Sequence, residues 1–170
     1  MEPYAQAYLQ LLHCAAHTAR AEAFTFATRL TRLTRLLRSA TPAAALERAG
    51  RAAPDWSGGT RIGPALQAFL DRYGRRGLAH GAVVLVVSDG WERGDAALVG
   101  VQMARLARLA HRVVWVNPRK AAEDFQPLAG GMAAALPYCD AFVSGHSLEA
   151  MAEVAKALAP DRSARSAPGA

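Results

Sequence analysis

The residues best placed to do chemistry cluster in two short stretches. In VVLVVSDGWERGD, residues 83–95, five apolar residues run straight into Ser88-Asp89-Gly90-Trp91. An aspartate at the tip of a strand has two uses. Its carboxylate can cap the following turn, or it can offer oxygen to a hard cation such as Mg²⁺. Gly90 behind it lets the backbone turn sharply. The second stretch is DWSGGT, residues 55–60. There two glycines precede Thr60, whose hydroxyl can cap a helix or reach a metal or anion. Glu92, Arg93 and Asp95 extend the first loop as a charged, solvated rim. His13 and His17 stand four apart on one helix face with Cys14 beside them, a spacing that can grip zinc. No third ligand is evident, and surface histidines are the plainer reading.

Other chemistries lack their residues. There is no GxxxxGK[ST] phosphate loop, no HExxH zinc helix and no GxSxG elbow. No pair of carboxylates has an obvious acid–base role, so nothing demands an enzyme. A hydrolase built on Asp89 is the minor alternative.

These residues need a frame, and the hydrophobic pattern supplies one. Residues 3–20 read as a helix with Tyr4, Tyr8, Leu11, Leu12, Ala15 and Ala19 on one face. In AFTFATRLTRLTRLLR, Phe24 and Phe26 alternate with Thr25, and a period of three follows. Arg29, Arg32, Arg35 and Arg38 would alternate faces in a strand and spiral around a helix; the reading is a strand, a turn and a short edge strand, where arginine blocks unwanted pairing. Pro42 opens a short helix, and residues 61–73 form another. The run 82–87 is apolar throughout and reads as a strand buried on both faces. Then come a helix over 95–110, a strand over 112–116, a short helix, a strand over 140–144 and a helix over 147–158. Strands alternating with helices imply an open α/β sheet, with ligands beyond the carboxyl ends of its strands. Asp89 is at such an end.

Bulk composition narrows the setting. The chain has 170 residues, enough for one domain, and 52% of them are apolar. No apolar run is long enough for a bilayer, and the first residues lack a signal-peptide pattern, so cytoplasmic location and no membrane partner are the expectation. Cys14 and Cys139 are far apart and read as reduced thiols. The net charge of +6 is almost wholly arginine, since lysine occurs only at Lys120 and Lys156. A basic balance favours an acidic partner. Nucleic acid is disfavoured, because aromatic residues are not interleaved with the arginines.

FATRLTRLTRLLR, DWSGGTRIGPALQAFL, VVLVVSDGWERGD, RLARLAHRVVWVNP and PLAGGMAAALPYCDAFVSGHSLEAM together closely resemble the CoxE-like branch of von Willebrand factor A (VWA) domains. The likeness runs to about residue 158. It implies an α/β, VWA-type (Rossmann-like), mostly parallel sheet with helices on both faces over residues 1–159, and a disordered tail over 160–170. VWA domains often carry a metal-ion-dependent adhesion site, built from a DxSxS motif, a loop threonine and a loop aspartate. A partner's carboxylate completes the Mg²⁺ shell. By matching position Thr60 is the threonine and Asp89 the aspartate, with Trp91, Glu92 and Arg93 flanking the contact. DxSxS is absent from this sequence, and the spacing of Asp161, Ser163 and Ser166 does not reproduce it. The resemblance places that motif and the family's first, central strand ahead of Met1, so the chain reads as N-terminally truncated. The neighbours of that strand are expected to show open edges. The branch implies a non-enzymatic adaptor. It would work with a MoxR-type AAA+ ATPase in maturing a molybdenum hydroxylase such as carbon monoxide dehydrogenase. The alternative is a metal-independent VWA-like scaffold that binds through its arginine-rich edge.

Overall fold

In the computed structural model, residues 2–18, 21–38, 42–52, 60–118 and 130–145 are described. Helix α1 (Glu2–Thr18) leads to an antiparallel hairpin of β1 (Phe24–Phe26) and β2 (Leu30–Arg32), then to α2 (Thr34–Arg38) and α3 (Pro42–Ala52). Helix α4 (Ile62–Phe69) continues as a wider π turn over Leu70–Leu78. Next come β3 (Val83–Val87), α5 (Ala96–Ala107), β4 (Arg112–Asn117), α6 (Gly130–Ala135) and β5 (Ala141–Ser144). Strands β3, β4 and β5 form a parallel sheet in that order, with Val87 beside Val116 and Val116 beside Val143.

The period of two in the strands divides the core between two faces. Val86, Val113 and Trp115 meet Ile62, Leu66, Val99, Met103 and Leu106 from α4 and α5. Leu85, Val87, Val114, Val116 and Val143 meet Tyr8 and Leu11 of α1. A smaller cluster of Ala16, Ala23, Leu33, Leu37 and Ala45 ties α1 to α2 and α3. Helices thus cover both faces of a parallel sheet, as the alternation of elements implies.

The all-apolar run at β3 is covered on both faces, Val84 and Val86 toward α4 and α5 and Leu85 and Val87 toward α1, but incompletely: Val83 is 36% exposed, and β3 bonds only β4 among the described residues. The fully enclosed strand is β4, where Val113 through Asn117 are all buried. Burial follows position in the sheet, and β4 has a neighbour on each side. The strand, turn and short edge strand expected at the arginine repeat are β1, the turn after it and β2. After β2 the chain turns helical at Thr34, because the Thr34 hydroxyl bonds the Glu22 carboxylate at 2.5 Å and takes the Ala23 N–H at 3.0 Å. That anchors the turn and buries Leu37. The hairpin packs on α4 through Phe24, whose ring centroid lies 5.2 Å from Phe69 and 5.1 Å from Tyr73, with Arg32 over the rings. The helix expected over 147–158 and the tail over 160–170 lie outside the described residues, as does the glycine pair before Thr60.

Candidate functional site at the carboxyl end of the sheet

The tip of β3 is fixed from beneath. Ser88 is buried. Its N–H donates to the Val116 carbonyl at 3.0 Å, and its own carbonyl accepts the Trp115 indole N–H at 2.9 Å. The Ser88 hydroxyl takes the Gly90 N–H at 3.1 Å. Asn117, wholly buried at the end of β4, donates to the Asp89 carbonyl at 3.4 Å. Gly90 is required here for two reasons. Its φ is +79°, and a Cβ would lie 2.5 Å from that of Met132 on α6. Sheet, Trp115 and α6 therefore hold the backbone around Asp89 in one conformation.

The Asp89 side chain is half-buried, and one of its oxygens accepts the Trp91 N–H at 3.2 Å. This is the turn-capping use of the residue, and the other oxygen makes no hydrogen bond among the described residues. Trp91 follows with 68% of its surface exposed, the most of any large apolar side chain described. Thr60 sits beside this loop: its carbonyl accepts the Arg93 N–H at 3.1 Å. Thr60 and Asp89 thus belong to neighbouring loops at one end of the sheet. No hydrogen bond links the Thr60 hydroxyl to the Asp89 carboxylate. Thr60 is not the helix cap either: Arg61 holds the N-cap position of α4 and makes no side-chain bond there.

Glu92 does that work from a distance. Its two carboxylate oxygens accept Gly63 N–H at 2.9 Å, in the first turn of α4, and Gly94 N–H at 2.6 Å. It is half-buried and committed internally, where the sequence suggested a solvated partner contact. Only the charge, placed near a helix start, hinted at the role, since Gly63 lies 29 residues away. Asp95 likewise serves the fold, capping α5 by accepting the Ala97 N–H at 2.8 Å. Arg93 is exposed at the rim.

As a metal site this arrangement falls short. Mg²⁺ wants six oxygens, whereas Thr60 and Asp89 offer a hydroxyl and a carboxylate already engaged in its own turn. Among the described residues no group of three His, Cys, Asp or Glu side chains can hold an ion, and His13 and His17 stack with centroids 4.3 Å apart without a third ligand.

What the geometry offers is an exposed loop, hydrogen-bonded from beneath, with one free carboxylate oxygen and one exposed indole. A family profile described as "VWA domain containing CoxE-like protein" matches residues 1–151. The chain belongs to the CoxE-like VWA family. Neither a curated protein nor a solved structure matches it. The sheet of this VWA domain carries Asp89 at a strand end, where open α/β sheets place their ligands. Among the described residues, no helix of the domain is long and apolar enough to cross a membrane.

Proposed function

We propose that this VWA domain is a non-enzymatic adaptor. It would couple a MoxR-type AAA+ ATPase to a client enzyme during maturation of a molybdenum hydroxylase, of which carbon monoxide dehydrogenase is the type. The family carries the choice of partners. The observation that supports an adaptor is the loop 89–93: Trp91 stands exposed on a backbone that Ser88, Trp115 and Asn117 immobilise. An exposed aromatic on a rigid support loses little entropy on binding, and such residues often dominate interface energies.

The measurement is capture of the protein on an immobilised MoxR-type ATPase. Trp91→Ala and Asp89→Ala are each expected to weaken capture by about tenfold or more, the effect of an interface hot spot. Capture unchanged in both variants would remove this loop from the interface. Adding EDTA tests whether Mg²⁺ joins Thr60 and Asp89 in the contact. Loss of capture is the outcome for a metal-assisted grip.

The second reading, a metal-independent scaffold, is favoured by the small donor set at Thr60 and Asp89. Its arginine-rich edge is only partly available. Arg32 pairs with Glu22 at 2.7 Å and Arg38 donates to the Ala16 carbonyl at 3.0 Å, while Arg29 and Arg35 are exposed. Capture that survives EDTA and falls in Arg29→Glu/Arg35→Glu supports this reading.

A further inference from the structure

A separate surface lies at the opposite end of the domain, where β3 and β4 begin. Helix α4 with its π turn runs away from the Asp89 end, and so does α5; both finish in arginines. Arg72, Arg75 and Arg76 belong to the π turn, Arg108 follows α5 and Arg112 opens β4. The connecting loops are bonded together. Gly81 N–H donates to the Leu109 carbonyl at 3.0 Å, and His111 N–H to the Ala82 carbonyl at 2.9 Å. Gly77, with φ +119°, ends the π turn and directs the chain into this junction. Arg72, Arg75, Arg76 and Arg108 are exposed and Arg112 is half-buried.

None of the five makes an ion pair among the described residues. Two acidic groups lie nearby. Asp71 pairs with Arg105 at 3.0 Å, and the Asp140 carboxylate accepts the Val113 N–H at 2.6 Å and keeps its one negative charge against the arginines. Cations at helix C-termini offset the helix dipole, which accounts for a charge at each of two ends and leaves the rest uncompensated.

We propose that this end binds an acidic segment of a partner protein, through Arg72, Arg75, Arg76 and Arg108. Planar guanidinium groups match carboxylates in paired hydrogen bonds. Other anionic partners fit less well. Single-stranded nucleic acid wants open aromatic rings among the cations. Here Trp91 is at the far pole, and Tyr73, the one aromatic between Arg72 and Arg75, is half-buried with its ring packed on Phe24 under Arg32. A bilayer wants apolar side chains that enter it, and Val83, at the start of β3, is only 36% exposed. A duplex wants a stripe of cations along its backbone, whereas these sit at two helix ends. The surface is independent of the loop at Asp89, so the domain can hold two partners at once.

The test uses the whole chain and a fluorescein-labelled oligoglutamate peptide, read by anisotropy. A short DNA duplex and phosphatidylserine vesicles run in parallel. Arg75→Glu/Arg76→Glu/Arg108→Glu is expected to weaken oligoglutamate binding by at least about tenfold, and added salt to weaken the wild type. Arg48→Glu/Arg51→Glu/Arg61→Glu carries the same change in net charge at exposed positions elsewhere and is expected to keep most of the binding. Circular dichroism of both variants confirms that they are folded. Equal loss in the two triple variants would overturn the proposal, as would binding of duplex or vesicles without oligoglutamate. Asp89→Ala leaves this binding intact, so failure here is distinguishable from failure of the adaptor reading.

Discussion

Glu92 is the residue whose role the charge pattern hides best. One carboxylate satisfies the amide at the start of α4 and the amide of Gly94, so it sets the spacing between Thr60 and the loop that carries Trp91. Glu92→Ala leaves both amides to water and is expected to cost about 1–2 kcal/mol in urea unfolding. Glu92→Gln, with one carbonyl oxygen, should recover part of that. Trp91→Ala, exposed and unpacked, should change stability by less than about 0.5 kcal/mol. A Glu92→Ala midpoint equal to wild type would assign Glu92 to the surface. The cysteines separate just as sharply. Burial, with the Asp140 charge beside it, pushes the Cys139 thiol up to about 11, and its Sγ lies 3.3 Å from the Ala135 carbonyl. The thiolate is the nucleophile, so iodoacetamide at mildly alkaline pH should label exposed Cys14 first. Cys139 should react only as the pH approaches its raised value or the chain unfolds. Equal labelling rates in the folded protein would contradict this.

At the scale of elements, the hairpin and α2 hang on one carboxylate. Partial burial pushes Glu22 up, but hydrogen bonds from Thr34 and Arg32 and the charges of Arg32 and Arg38 outweigh it. The carboxyl ends below its ordinary value of 4.5. A lowered folded value means that ionised Glu22 stabilises the native state above the unfolded value, and that the contribution fades as pH falls through the folded one. Glu22→Gln should therefore lower Tm at neutral pH. The gap from wild type should close below pH 4.5, and a gap that persists in acid would refute the linkage. This junction also shows where sequence reading stops. The alternation at Phe24 and Phe26 announced β1, and the strand–helix order announced the parallel sheet. The TRL repeat, however, has a period of three, which fits neither strand nor helix cleanly, and the bond between Thr34 and Glu22 after β2 spans 12 residues. Asp89 was legible because a strand end followed by glycine is a local pattern. Glu92 was not, because its partner amide belongs to another element.

Across the whole molecule the domain is polarised. Asp89, Glu92 and Asp95 stand with Arg61 and Arg93 at the carboxyl end of the sheet, and arginines without ion pairs among the described residues crowd the other. The sheet itself is lopsided: β4 bonds both neighbours, while β3 has only β4 among the described residues, and the hairpin stands as a separate sheet. Amide exchange can read that asymmetry. Ser88 N–H donates to Val116 of β4. Donors alternate along a strand, so the amides of Val84 and Val86 share that direction and those of Val83, Leu85 and Val87 point to the open side. The first pair should exchange slowly, along with the amides of β4, and the second set much faster. An open row of five apolar residues is also a template for another strand. Slow exchange at Val83, Leu85 and Val87 would therefore mean that a further segment pairs with β3 in solution. Dilution would tell a second copy, whose protection fades, from a segment of the same chain, whose protection does not.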